Sequence, residues 1–337
     1  MKRSIAIIFL LALVWGQVDK VGSTTAQFLK LGVGSRAQGM GGSFVALAND
    51  GSGPYWNPAG ILAAENVSAS FHHLDWVLDI RKDYVSILAP LNRGTSLALT
   101  LSALSMDEKP VTTVQQPEGT GLTYGVLDLA LGISLARRVS DRLGYGITMK
   151  TIQLSAYNES ASGFAFDIGS ILRTDFHDLT IGMALTNFGG DLKYEGRDLL
   201  AKADIDESID GNYTSDVNLK TESWPLPLRI QIGIAVDLWG SGNAFFQSRN
   251  SRLTLAVDAV HPNDGPEHLN AGLEWGWNDW LFLRGGTRFN YDQEQWTLGG
   301  GLIWSSGGAG RWSLNYSVAP LGVFGATTQV SLEWIIR

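Results

Sequence analysis

From Leu228 to Leu238 the chain alternates without a break. Leu228, Ile230, Ile232, Ile234, Val236 and Leu238 fall on one side, and Arg229, Gln231, Gly233, Ala235 and Asp237 on the other. In an extended strand these two sets face opposite ways. One face is wholly aliphatic; the other is polar or small and carries two charges. The same period recurs at Leu127, Leu129, Leu131, Ile133 and Leu135, at Leu97, Leu99 and Leu101, and at Leu253, Leu255 and Val257. No stretch of the chain reaches the roughly 18 apolar residues of a transmembrane helix. Lipid cannot satisfy free backbone groups, so a chain of this pattern enters a membrane only as a closed barrel.

A soluble sandwich also alternates, and three further features favour the membrane barrel. The strands are long, about ten residues, and follow one another with no helical segment between them. Aromatic residues stand near many strand ends: Trp76, Tyr84, Trp239, Trp275, Trp277, Trp280, Trp296, Trp304, Trp312 and Trp334. Such rings suit the membrane–water interface. Charged residues make up only 17% of the chain, against roughly 25% in soluble domains. The expectation is an all-β transmembrane antiparallel barrel of about 14 strands, an even number. Strands are expected to start near Asn66, Lys82, Gly94, Tyr124, Asp141, Ser162, His177, Leu226, Ser251, Pro266, Asp279, Gln293, Arg311 and Gly325. Asn92-Arg93-Gly94, Ser140-Asp141-Arg142 and Asn278-Asp279 read as short turns at one end, with the long connections 105–122 and 188–225 at the other.

The N-terminus reads as an export signal. Lys2 and Arg3 precede a mostly apolar run from Ser4 to Trp15, too short to span a membrane as a helix. Val14 and Gly16 suit the −3 and −1 positions, which places cleavage after Gly16 and the signal at 1–16. Residues 17–65 do not alternate and are rich in small residues, with Gly32, Gly34, Gly39, Gly41, Gly42, Gly51, Gly53 and Gly60. They are expected to fold inside the lumen as a hatch or plug, leaving 66–337 as the barrel.

Several functions find no support. The net charge of −8 and the lack of a basic run argue against nucleic acid. With no cysteine there is no disulfide, thiol nucleophile or lipid-anchored N-terminus. No HExxH or G-x-S-x-G motif occurs, so no enzyme, cofactor or metal is expected. Gly32-x-Gly34-x-x-Ala37 mimics a dinucleotide fingerprint but lacks its βαβ setting. Asp204, Asp206, Ser208, Asp210 and Gly211 resemble the front of a calcium loop, but Val217 stands where its glutamate belongs.

The run from Gly34 to Leu62, GSRAQGMGGSFVALANDGSGPYWNPAGIL, resembles the N-terminal region of the PorV/PorQ family, itself similar to the FadL-like transporters of long-chain fatty acids. Asn57-Pro58-Ala59 matches the Asn-Pro-Ala element of the FadL-like hatch, and further similar stretches begin at Gln116, Glu159 and Tyr194. The resemblance implies a fourteen-stranded barrel with an N-terminal hatch in the bacterial outer membrane. It also implies one of two roles: passage of hydrophobic small molecules, or a secretion component holding secreted proteins or machine subunits at the surface. On the first reading Asn57, Pro58, Ala59 and Gly60 form the hatch turn. Phe28, Leu31, Phe44 and Trp56 then offer an apolar pocket, with Arg284 and Arg288 available to a carboxylate. The remaining polar-face charges (Lys150, Asp167, Arg229, Asp237, Asp258 and Glu274) are expected to pair around the plug.

Overall fold

The computed structural model describes residues 20–203, 215–293 and 295–336. The export signal and the acidic run at 204–214 lie outside the described residues. Fourteen antiparallel strands form the wall: β1 (Ser68–Asp75), β2 (Ile80–Asn92), β3 (Thr95–Met106), β4 (Val126–Arg138), β5 (Leu143–Ala156), β6 (Glu159–Arg173), β7 (Thr180–Gly189), β8 (Arg229–Gly240), β9 (Ser251–Pro262), β10 (His268–Trp277), β11 (Leu281–Phe289), β12 (Trp296–Ser305), β13 (Arg311–Pro320) and β14 (Ala326–Ile335). Each pairs with its sequence neighbours, and β1 pairs with β14 in the register Phe71 opposite Leu332, which closes the barrel. A strand of ten residues rises about 33 Å and, tilted, spans the roughly 25 Å apolar band of such barrels.

Alternation sets which face meets lipid. In β8, Ile230, Ile232 and Ile234 are exposed on the outer wall, while Gln231 and Ala235 are buried inside. In β4 and β5, Leu131, Ile133, Leu135, Ile147 and Met149 face outward, while Ser134 and Thr148 meet inside at 2.7 Å. The aliphatic face is thus the outer one. An apolar surface this large is stable only against lipid.

The two ends differ. Strand β1 begins and β14 ends at the same end, which also carries the tight connections after β2, β4 and β10. Asn278 and Asp279 both have positive φ (49° and 56°), as a two-residue hairpin turn demands. The opposite end carries the long connections between β3 and β4 and between β7 and β8. The short-turn end faces the periplasm and the long-loop end the exterior, the asymmetry usual for these barrels. Trp239, Trp277, Trp280, Trp304, Trp312 and Trp334 all lie at the short-turn end, on the β8–β14 side. There Trp312 and Trp334 stack at 5.6 Å. Two aromatics expected at the interface are elsewhere. Tyr84 points inward and is buried beside Tyr55, and Trp76 lines the lumen, because each falls on the inward-facing phase of its segment.

Residues 20–65 fill the lumen. The segment starts at the long-loop end, where Phe28 and Leu29 pack with Ile152, Leu154, Leu192 and Leu226. A short helix, α1 (Ser35–Gly39), crosses against β11–β14. A second, α2 (Gly53–Trp56), leads into a 3-10 turn at Pro58–Ala63, which packs on β4, β5 and β6 near the short-turn end. Hydrogen bonds join this segment to the wall along its length. Ser35 N donates to Ser331 Oγ at 2.8 Å, Gly41 N to Thr297 Oγ1 at 2.9 Å, and Phe44 N to Asp258 Oδ2 at 2.7 Å. The high glycine content has its reason here. A Cβ on Gly146 would strike the Pro58 carbonyl carbon, and one on Gly286 would strike the Gly41 backbone nitrogen. Only a wall bare of side chains lets the plug's backbone approach so closely.

Candidate functional site

Asn57 organises the turn that docks the plug segment on the wall. Its Nδ2 donates to Val45 O at 2.9 Å within the plug and to Ser170 O at 3.0 Å on β6, while its Oδ1 accepts from Ala59 N at 3.1 Å. Pro58 starts the following turn with its φ already set and no N–H to satisfy. Ala59 and Gly60 are fully enclosed, and a side chain on Gly60 would collide with Ala48. Asn57-Pro58-Ala59-Gly60 is therefore the point where plug and wall interlock.

Several charges on the inner wall find a partner, as a low-dielectric lumen requires, whereas Arg229 lies against the Tyr55 and Trp56 rings with no ion pair among the described residues. Glu274 is wholly buried. It accepts from Arg36 Nε at 2.7 Å and Nη2 at 2.9 Å, from Arg284 Nε at 2.7 Å, and from Arg252 Nη2 at 3.3 Å. Lys150 meets Asp167 at 2.8 Å. Asp258 accepts two plug amides, Phe44 N and Val45 N. Asp237 accepts from Thr254 at 2.5 Å. Lys82, which the sequence did not mark as a site residue, is buried on β2 and donates to Phe28 O at 3.1 Å and Leu31 O at 2.5 Å.

Cavities lie on both sides of the plug. Toward the short-turn end lies polar space of about 300 Å3 lined by Arg36, Asp50, Glu274, Arg284 and Asn315 among others. It adjoins a vestibule of about 460 Å3 that shares Asn49, Asp50, Arg311, Glu333 and Ile335 with it. Toward the long-loop end lies a smaller cavity of about 120 Å3. Gly41, Gly42 and Trp56 of the plug contribute to it, together with Leu31, Leu74, Trp76 and Tyr291. The wall adds Arg229, Gln231, Asn270 and Arg288.

Of the residues expected to bind a ligand, Leu31, Trp56 and Arg288 meet at this outer cavity. Phe28 does not; it belongs to the apolar cluster under Leu192 and Leu226. Phe44 lies behind Trp56, edge-on at 6.1 Å, and supports the ring from inside the plug. Arg284 lines a cavity on the opposite side, so Arg284 and Arg288 do not converge on one ligand, although both point inward from β11. Gly286 between them is covered by Gly41 of the plug. Sequence reasoning missed Gln231, Asn270, Trp76 and Tyr291. Gln231 was visible as a polar-face residue of the clearest strand, but nothing in the sequence gives its depth in the barrel or its neighbours. The connection 188–225, acidic in sequence, turns Leu192 inward onto the plug beside Leu226. Among the described residues no group of side chains is arranged to hold a metal ion.

This is a plugged, fourteen-stranded transmembrane barrel. Its fold is shared with the toluene transporter TbuX of Ralstonia pickettii, at 15% identity over 91% of this chain and 99% of that one, with a TM-score of 0.56. The toluene transporter TodX of Pseudomonas putida is similar at 12% identity over 94% and 97%, with a TM-score of 0.55. A FadL homologue of Pseudomonas aeruginosa is similar at 10% identity over 95% and 100%, with a TM-score of 0.52. No protein-family model and no curated protein sequence matches the chain, so the likeness to PorV/PorQ has no support beyond the motifs themselves.

Proposed function

We propose that this chain is an outer-membrane barrel for inward passage of small hydrophobic molecules. Residues 1–16 serve as its export signal, 17–65 as the hatch and 66–337 as the barrel. The observation that carries the reading is the outer cavity floored by Trp56 of the plug, in a fold shared with transporters of toluene. A solute arriving from outside meets an aromatic-lined recess and then a plug hydrogen-bonded to the wall. The strand ladder closes around the lumen, so passage to the periplasm requires the hatch to shift. The lipid-facing aliphatic wall and the tryptophan girdle hold the barrel in the membrane. No observation among the described residues favours the secretion role.

The test is uptake by intact cells that lack barrels of this kind and carry a lipopolysaccharide outer leaflet. A plain phospholipid bilayer would pass such solutes unaided. Expression of the chain should raise entry of radiolabelled toluene severalfold over the empty-vector strain and leave entry of a sugar of similar size unchanged. Equal entry of toluene and equal entry of benzoate, with and without the barrel, would together refute the proposal.

A further inference from the structure

The outer cavity is polar in a way that a hydrocarbon does not satisfy. Gln231 is 1% exposed and Asn270 4% exposed, and both line it. Gln231 Nε2 and Oε1, Asn270 Oδ1 and Arg229 Nε have no hydrogen-bond partner within the protein among the described residues. A hydrocarbon displacing water from these groups would leave them desolvated and unpaired. Arg229 and Arg288 bring cationic side chains to the cavity, together with Lys30, which is itself paired with Asp264 at 2.9 Å. The remaining lining supplies aromatic faces: Trp56, Trp76 and Tyr291. Arg229 lies 5.6 Å from the Trp56 ring, which fixes the guanidinium against the plug. The volume of about 120 Å3 is near that of cavities that take a single benzene ring, and leaves no room for a coiled long acyl chain.

We infer that this cavity binds a single-ring aromatic acid, with the carboxylate toward Arg229, Gln231 Nε2 and Arg288 and the ring against Trp56 and Trp76. A ring hydroxyl adds a donor for Asn270 Oδ1 or Gln231 Oε1, the acceptors a carboxylate cannot serve. The ionised head group makes charge-assisted hydrogen bonds in a site shielded from bulk water, where they discriminate most strongly. The inference rests on the uptake reading above and narrows its solute from hydrophobic molecules in general to aromatic acids.

Equilibrium dialysis of the purified barrel in detergent, with protein-free micelles as the blank, tests it. The probes are radiolabelled benzoate, 4-hydroxybenzoate and toluene. Benzoate should bind about tenfold more tightly than toluene, the worth of one good hydrogen bond, and 4-hydroxybenzoate at least as tightly as benzoate. Gln231→Leu and Arg229→Met should each weaken benzoate by about tenfold while leaving toluene nearly unchanged. Gel mobility before and after heating checks that each variant is folded, and Asn270→Leu, which should remove only the advantage of the hydroxyl, provides a milder variant. Toluene binding as tightly as benzoate, or benzoate binding indifferent to both variants, would overturn the inference. In the cell assay, entry of toluene without benzoate overturns the aromatic-acid assignment alone, whereas entry of neither overturns the uptake reading with it.

Discussion

Replacing Glu274 by leucine should loosen the plug more than any other single change on the inner wall. The carboxylate is fully buried and joins one plug arginine to two wall arginines: Arg36 at 2.7 Å, Arg284 at 2.7 Å and Arg252 at 3.3 Å. Removing one partner of a buried ion pair costs about 3–5 kcal/mol, because the other is left charged without compensation. Here Arg36 keeps Asn49 at 2.6 Å and Asp50 at 3.5 Å, and Arg284 keeps Asn315 at 2.8 Å, so the lower end of the range applies. Arg36→Leu should cost less, about 1–2 kcal/mol, since Glu274 retains Arg284 and Arg252. The double variant should cost roughly what Glu274→Leu costs alone, which implies a coupling on the order of 1–2 kcal/mol. Reversible urea unfolding in lipid vesicles, followed by tryptophan fluorescence, measures all three. Costs that add to within about 0.5 kcal/mol would mean that the two residues do not act together, and the pair would lose its place as the plug's anchor.

Other perturbations read other parts of the same design. Asn57→Ala removes three hydrogen bonds and leaves Val45 O and Ser170 O short of a donor, so it should destabilise the barrel by about 1–3 kcal/mol in the same unfolding assay. Gly286→Val sets a side chain against the Gly41 backbone and should displace the plug, seen as faster hydrogen exchange in residues 35–45 with the strands still protected. Ile133→Arg puts a charge on the lipid face and should cost about 2–4 kcal/mol, whereas Ser134→Ala, facing the lumen, should cost far less.

The plug's outer end should respond to acid. Burial by itself would raise the pKa of Asp264, but hydrogen bonds from Thr24, Gln27 and Lys30, together with the Lys30 charge, outweigh it and hold the carboxyl below its ordinary value. A carboxyl lowered in the folded state stabilises above its unfolded pKa, and that contribution is lost as pH falls through the folded value. The tether should therefore hold at neutral pH and release below about pH 4. A fluorophore on Val21→Cys, the only thiol in a chain without cysteine, should gain mobility there, and Asp264→Asn should remove the transition.

The wall was legible because each strand writes its own two-residue period. Every strand begins within three residues of its expected start: β2 at Ile80 against Lys82, β6 at Glu159 against Ser162, β8 at Arg229 against Leu226. The face that meets lipid was legible for the same reason. The interior was not. Arg36 and Glu274 are 238 positions apart, and Ser35 and Ser331 are 296 apart. Polarity on a strand face says that a residue looks inward, but not which segment of plug it meets. Arg284 and Arg288 show the limit: they share one face of one strand, and the plug passes between them. Tyr84 shows another, because an aromatic near a strand end belongs to the interface only if its phase is the outward one.

The account turns on a plug that must shift for solute to pass, and a reversible lock tests that most directly. Ser35 Oγ and Ser331 Oγ lie 2.9 Å apart, buried, one on the plug and one on β14. Ser35→Cys with Ser331→Cys gives the protein its only two thiols, placed to form a disulfide in the oxidising periplasm. The account predicts that oxidised cells take up radiolabelled toluene no faster than cells without the barrel, and that dithiothreitol restores entry to the level of the unsubstituted protein. Equal entry through the oxidised and reduced forms would contradict it and would mean that solute leaves the barrel without moving the hatch.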